Sequence, residues 1–292
     1  MKLIAIPDLH IGKTFNVTYG DPAIWEARSL KLVKNILKRE QPDKVVFLGD
    51  IFNTSSPSFH HIFKFMLEVK NYDVTVISGN HDIPKTKKKS VMDYLAKYVD
   101  VIFNNDMDEI SPDIYAIAWC DTQSRFVAKL KATIEHTKGN IIFLHAAYNN
   151  WDNEMDNVVT DELIKMAKEK DIKLISGHEH VHNIKKDTLY HLGSISPMNI
   201  GELGPKYYWS SVDGLVKINH KVGKGLSNDI ILTNEDPGPQ GTKPVYVKAG
   251  AIKIETDLVM EKRELTIDIL DDFVTKALSD GFDKEFIDEF IK

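Results

Sequence analysis

Val74-Thr75-Val76-Ile77-Ser78-Gly79-Asn80-His81-Asp82 joins a β-branched, apolar run to a polar turn, and the fold is read from that junction. Val74 to Ile77 has the composition of a buried strand. The turn behind it offers chemistry and no helix-cap logic. Gly79 permits a tight backbone, Asn80 presents a neutral oxygen, His81 a nitrogen that ligates a metal or carries a proton, and Asp82 a carboxylate that orients its neighbours. Alone, such a turn is an ordinary Asx turn. Four further strand-like runs, however, end in the same way. Residues 3–6 lead into Pro7-Asp8-Leu9-His10, 44–48 into Gly49-Asp50, 140–144 into His145, and 173–176 into Gly177-His178-Glu179-His180. Open α/β sheets place their ligand sites at the carboxyl ends of strands, so the repetition turns a weak signal into a strong one.

Alternation along an extended chain predicts that Asp8 and His10 share one side, and that His178 and His180 do too. Between these strands lie helical patterns. Leu30, Val33 and Leu37, with Leu32 and Ile36, fall at helical spacing over 23–40, and Pro42 stops the helix. Ile62, Phe65, Met66 and Val69 mark a second helix to about residue 69, with His60 and His61 as polar residues at its start. Further helices are predicted over 90–97, 123–136 and 161–168, and strands over 101–103 and 114–119. Residues 189–193, 209–213 and 215–219 read as strands, antiparallel by their short connections. The polar stretch 151–157 reads as a lid or a long connection. His182 is assigned to the surroundings of the site or the surface, and His136, His191 and His220 to structure.

The composition sets limits. With 292 residues, 42% hydrophobic and 27% charged, the chain can bury a large core plus an appendage. A net charge of -6 gives no global basic field for nucleic acid, although carboxylates gathered around divalent metals inflate that count. Lys85, Lys87, Lys88 and Lys89 read either as a solvated loop or as phosphate contacts next to the candidate site. The single cysteine, Cys120, excludes an internal disulfide framework, suits a reducing cytoplasm and reads as a small buried hydrophobe. Neither a targeting segment nor a membrane-length apolar run is visible, so the expected location is cytoplasmic.

The organisation expected is a main domain over 1–220, a segment over 221–260 that contains the linker-like Asp236-Pro237-Gly238-Pro239, and a helix pair over 261–292. Ile267, Leu270, Val274 and Leu278 line one face of that pair, and Phe282, Phe286 and Phe290 follow Gly281. These faces either pack on the core or dock a partner.

Together the strand ends supply Asp8, His10, Asp50, Asn80, His145, His178 and His180, with His81 left over. Carboxylate, imidazole and amide oxygen without thiolate suit two hard divalent ions such as manganese, magnesium or iron. Asp50 is the natural bridge between them. No P-loop, Gly-x-Ser-x-Gly elbow or dinucleotide fingerprint competes.

In kind and order, Asp8-x-His10, Gly49-Asp50, Gly79-Asn80-His81-Asp82, His145 and Gly177-His178-x-His180 resemble the calcineurin-like metallophosphoesterases. Gly49-Asp50-Ile51-Phe52 with Ser56-Pro57-Ser58, and Leu192-Gly193-Ser194-Ile195-Ser196-Pro197 leading to Gly201-Glu202, resemble more closely the SbcD-type nucleases of double-strand-break repair. The compact size is similar to nuclease subunits of large bacteriophages. The resemblance implies a four-layer α/β/β/α sandwich. Asp8, His10, Asp50 and His180 would hold one metal, and Asp50, Asn80, His145 and His178 the other. It implies in-line attack of hydroxide on phosphorus, with His81 stabilising the transition state or protonating the leaving oxygen. It also implies exonuclease and endonuclease activity on DNA with manganese, a homodimer, and an SbcC-like coiled-coil ATPase docked on 261–292.

Two departures stand against that pattern. Asn53 replaces an aspartate that polarises the catalytic histidine in many relatives, and the segment after Asn219 is shorter than the capping region of longer relatives, so the resemblance implies a reduced capping segment over 221–260. The alternatives are a phosphodiesterase or phosphatase for small molecules, or a scaffold without metals. The absence of Asp-Arg-Gly after Gly49-Asp50 disfavours the protein-phosphatase branch.

Overall fold

The structure, a computed structural model, describes residues 1–13, 22–84, 90–103, 106–148, 157–196, 198, 202 and 204–218. The lysines at 85–89, the stretch 151–156, and the whole of 221–292 with its capping segment and helix pair lie outside the described residues.

Strands β1 (Leu3–Ile6), β2 (Lys44–Phe47), β3 (Asp73–Ile77) and β4 (Asp100–Ile102) pair in parallel, joined by α1 (Pro22–Glu40), α2 (Phe59–Val69) and the short α3 (Val91–Leu95). A second sheet holds β5 (Met107–Ser111), β6 (Ile114–Ile117), β7 (Ile141–His145), β10 (Lys173–Gly177), β11 (Asn183–Lys185) and β12 (Leu189–His191). α4 (Gln123–His136) and α5 (Asp161–Glu169) connect its central strands, and a small parallel pair, β8 (Ala147–Tyr148) and β9 (Val158–Val159), lies between β7 and α5 in the chain. β13 (Tyr207–Ser210) and β14 (Gly214–Lys217) return to the first sheet, which is ordered β14-β13-β1-β2-β3-β4.

Alternation within the strands builds four layers. Leu3 and Ala5 of β1 and Val46 of β2 face Ala116, Phe143 and Ile175 of the second sheet in one buried cluster. Their neighbours Ile4, Ile6, Val45 and Phe47 point the other way, against α1, α2 and α3. Ile142, Leu144 and Leu174 do the same for α4 and α5. Strands buried on both faces must be apolar throughout, which is why these runs show no polar alternation. The architecture is therefore the expected α/β/β/α sandwich. No helix among the described residues is long and apolar enough to cross a membrane.

Helix starts follow the side chains available. Thr122 and Thr160 accept from Arg125 N and Leu163 N at 3.3 and 3.4 Å, and Ser90 forms a capping box with Asp93. The helix predicted over 90–97 is shorter than expected. After Leu95 the backbone tightens, with Lys97 N donating to Tyr94 O and Tyr98 N to Leu95 O. β5 escaped the pattern because Asp108 and Glu109 make it a charged, exposed edge strand. The antiparallel expectation holds for β13 and β14 but not for β12, which runs parallel to β10 and pairs antiparallel only with β11.

Phe65 is fully buried between Phe47 and Phe52, with ring centroids at 5.1 and 5.8 Å. Phe65→Ala is expected to lower unfolding free energy by about 3–5 kcal/mol, read as a lower denaturant midpoint at unchanged slope.

Candidate metal centre

The five polar strand ends converge. The turn after β1 hangs on the turn after β2, with His10 N donating to Asp50 O at 2.9 Å and Ile11 N to Ile51 O at 2.8 Å. Asp82 ties in the turn after β3: one carboxylate oxygen accepts from Asp50 N at 2.9 Å and Gly79 N at 2.8 Å. Gly79 is required by closeness, because a Cβ there would lie 2.2 Å from Asp50 Oδ1. His10, Asp50 and His178 all adopt left-handed backbone, with φ of 45°, 50° and 76°. Such conformations are strained for side-chain-bearing residues and concentrate where geometry serves function.

Two groups of ligand atoms result, overlapping at Asp8 and Asp50, and His81 also brings a ring nitrogen within 4.8 Å of ligand atoms of His10 and Asp50. In the first, atoms of Asp8, His10 and His180 all lie within 4.8 Å of one another, with the two Nε2 atoms of His10 and His180 at 2.9 Å and Asp50 Oδ2 at 3.4 Å from His10 Nε2. In the second, His145 Nε2 lies 3.1 Å from Asn80 Oδ1, 3.2 Å from His178 Nδ1 and 3.5 Å from Asp50 Oδ2. Asp50 belongs to both. His145 Nδ1–H donates to Leu48 O at 2.7 Å, so its Nε2 lone pair faces the group. Lone pairs that crowd together this closely suit a shared cation, so the donor set fits two divalent ions.

The charges agree with that fit. Burial raises the pKa of Asp8 despite the nearby His145 and His180. Burial works in the same direction on Asp50, but His145 and His10 outweigh it and hold the carboxyl below the ordinary carboxylate range. Burial also pushes His10 down to about 3, leaving a neutral imidazole. For His145 burial is overcome by Asp50 and Asp8, and its pKa rises to about 9.

The sign of the pH effect follows. A histidine raised from about 6.5 to about 9 contributes stability that is complete below 6.5 and lost as pH rises through 9. Metal-free protein is thus expected to melt several degrees lower at pH 9.5 than at 6.5. Manganese affinity is expected to rise over the same window, because the His145 proton competes with the ion. Thermal melts and ion titrations across that range measure both.

The shared-side expectation fails for His178 and His180. The left-handed turn at His178 sends its ring to Asn80 and His145, whereas His180 reaches His10. His10 likewise meets Asp8 through a left-handed residue rather than an extended one. His81 is exposed, its ring edge-on to His10 at 4.8 Å. Its Nδ1 pairs with the main-chain oxygen of Asn53 at 2.9 Å, so a backbone carbonyl occupies the place of the missing aspartate. Cys120 is buried and its thiol is pushed up to about 11 by that burial, in keeping with a structural role. Asn157 clamps it by bonding both its N and its O, at 2.6 and 2.9 Å. His182 bonds His191 O and lies tilted against Tyr207, with ring centroids 4.1 Å apart, and His191 is fully buried.

Sequence reasoning assigned no role to Trp119 or Glu202. The Trp119 ring lies 5.6 Å from that of His178, and the Glu202 carboxylate holds His180 Nδ1 at 3.0 Å. Only the position of Glu202 behind the Gly193-Ser194 segment hinted at it.

Two facing sheets with carboxylates, imidazoles and an amide oxygen gathered at their strand ends define a metal-assisted hydrolase. The family model for calcineurin-like phosphoesterases matches residues 1–193, and the chain belongs to that family, whose members bind divalent metals. It is similar to the DNA double-strand break repair protein Mre11 of Methanococcus maripaludis, 32% identical over 95 residues, covering 30% of this chain and 25% of that protein. It is also similar to an SbcCD nuclease subunit of Staphylococcus epidermidis, 34% identical over 89 residues, covering 28% of this chain and 23% of that protein. These matches span about a quarter of the relatives' own length. Among solved structures, GAP50, the anchor in the inner membrane complex of Plasmodium, overlaps 74% of this chain and 83% of that one at 12% identity with a TM-score of 0.44.

Proposed function

We propose that the protein is a manganese-dependent DNA nuclease, the catalytic subunit of an SbcC-SbcD-like repair and recombination complex. The observation that carries this reading is Asp50, shared between two groups of ligand atoms, in a chain whose matched segments are similar to Mre11 and to an SbcCD nuclease subunit.

Asp8, His10, Asp50 and His180 would hold one ion, and Asp50, Asn80, His145 and His178 the other. When bound, two such ions supply a water-derived nucleophile at neutral pH and neutralise charge on the phosphoryl oxygens. The chain's own residues do the rest. Asp82 and Gly79 hold the turns bearing Asp50 and Asn80 in register. His145 is locked by Leu48 O in the tautomer that offers Nε2. His81, exposed at the mouth, keeps its Nδ1 proton on Asn53 O, and when protonated its Nε2 delivers a proton to the leaving oxygen.

Lys85, Lys87, Lys88 and Lys89 follow the His81 turn and are assigned to DNA phosphates on that ground. The 261–292 helix pair is the assigned dock for a coiled-coil ATPase, the protein acts as a homodimer, and its place is the cytoplasm. Support for these assignments comes from the repair and nuclease character of the relatives and from the apolar helix faces in the sequence. Alanine at Phe282, Phe286 and Phe290 is expected to end pull-down of the ATPase.

The deciding test gives purified protein with manganese a labelled linear duplex and bis-para-nitrophenyl phosphate in parallel. Degradation of the duplex is expected. Cleavage of the small diester alone, even with the ATPase added, would move the assignment to a small-molecule phosphodiesterase.

A further inference from the structure

The geometry points to Glu202 as a positioning residue: its carboxylate selects which ring nitrogen of His180 faces a metal, and the buried Lys206 holds the backbone of the same histidine. This inference rests on the two-ion reading above.

Glu202 Oε1 lies 3.0 Å from His180 Nδ1, so the ring donates its Nδ1 proton to the carboxylate. The Nε2 lone pair is thereby aimed at the first group, where His10 Nε2 lies 2.9 Å away. The second Glu202 oxygen accepts from Met198 N at 2.7 Å. Glu202 is almost buried, with 9% of its side chain exposed, and an ionised carboxylate persists there only if it is paired and hydrogen-bonded. Lys206 answers that need. Its residue is 1% exposed, and its Nζ sits 4.0 Å from Glu202 while donating to His180 O at 2.6 Å and Ser194 Oγ at 3.1 Å.

His180 is thus gripped twice, at its ring by Glu202 and at its backbone by Lys206. The two histidines with an identified ring anchor in the metal groups are held differently. His145 leans on a neutral main-chain oxygen, Leu48 O, and His180 on a charged carboxylate. A carboxylate behind a ligating imidazole fixes its tautomer and raises its basicity, and its loss typically weakens metal affinity by about 10–100-fold. The effect is therefore confined to one ion.

The test is a manganese titration of the metal-free full chain, followed by electron paramagnetic resonance. Wild type is expected to take two ions. Glu202→Ala is expected to weaken one of them by roughly 10–100-fold and leave the other unchanged. Glu202→Gln, which keeps a neutral acceptor, is expected to recover part of that loss. Wild-type affinities in Glu202→Ala, or equal weakening of both ions, would overturn the assignment. Should that variant not fold, nitrogen-15 spectra of wild-type histidines decide: His180 must carry its proton on Nδ1, and an Nε2–H tautomer overturns the inference. A wild type that binds no manganese removes the two-ion reading itself, a result distinguishable from selective failure at Glu202.

Discussion

Asp50→Asn is expected to abolish phosphodiester cleavage, by about 10³-fold or more, and to reduce bound manganese from two ions to at most one. The substitution is nearly isosteric, and asparagine tolerates the left-handed backbone at φ of 50°. What is lost is charge, at a carboxylate within reach of both groups, 3.4 Å from His10 Nε2 and 3.5 Å from His145 Nε2. Without it, the main influence raising the His145 pKa against burial disappears. The stability lost by metal-free wild type above pH 6.5 should then largely vanish from the variant's pH profile. Retention of two ions with wild-type affinity would sink the bridging role.

His81→Ala is expected to lower turnover on DNA by roughly 10²–10⁴-fold while both ions still bind. The ring is exposed and its Nδ1 is tied to Asn53 O; a His81 nitrogen lies within 4.8 Å of ligand atoms of His10 and Asp50, but its removal leaves Asp8, His10, Asp50, Asn80, His145, His178 and His180 in place. A general acid matters most when the leaving oxygen is basic. Bis-para-nitrophenyl phosphate, whose leaving group needs no proton, should therefore lose much less than DNA does. Equal losses on both substrates would argue for transition-state stabilisation instead of proton delivery. Because the Asn53 partner is main chain, Asn53→Ala should leave the rate nearly unchanged, whereas a side-chain dyad would make that variant resemble His81→Ala.

Both results depend on how the turns are held, and there the sequence and the tertiary structure divide the work. The strands could be read directly, because β1, β2, β3, β7 and β10 are apolar on both faces and each stops at a polar residue that has no place in a core. That pattern carried the α/β class and the set Asp8, His10, Asp50, Asn80, His145, His178 and His180 as candidates, whereas the four layers were expected from the family resemblance. It could not carry β5, an exposed edge whose charges read as loop, or the parallel pairing of β12, which spans two sheet neighbours rather than a hairpin.

Local order determined which residues are available, and tertiary contacts decided what each one faces. Parity put His178 and His180 on one side, but a single left-handed φ at His178 separated them into two groups. Asn53 was legible as a missing carboxylate, yet its backbone oxygen, which no residue type reveals, took that place. Glu202 acquires meaning only because folding brings it against His180, 22 positions away, with Lys206 beneath. Side-chain chemistry and strand periodicity are properties of the chain and survive in its letters. Backbone carbonyls, left-handed turns and long-range carboxylate partners arise from packing, so only the folded sandwich reveals them.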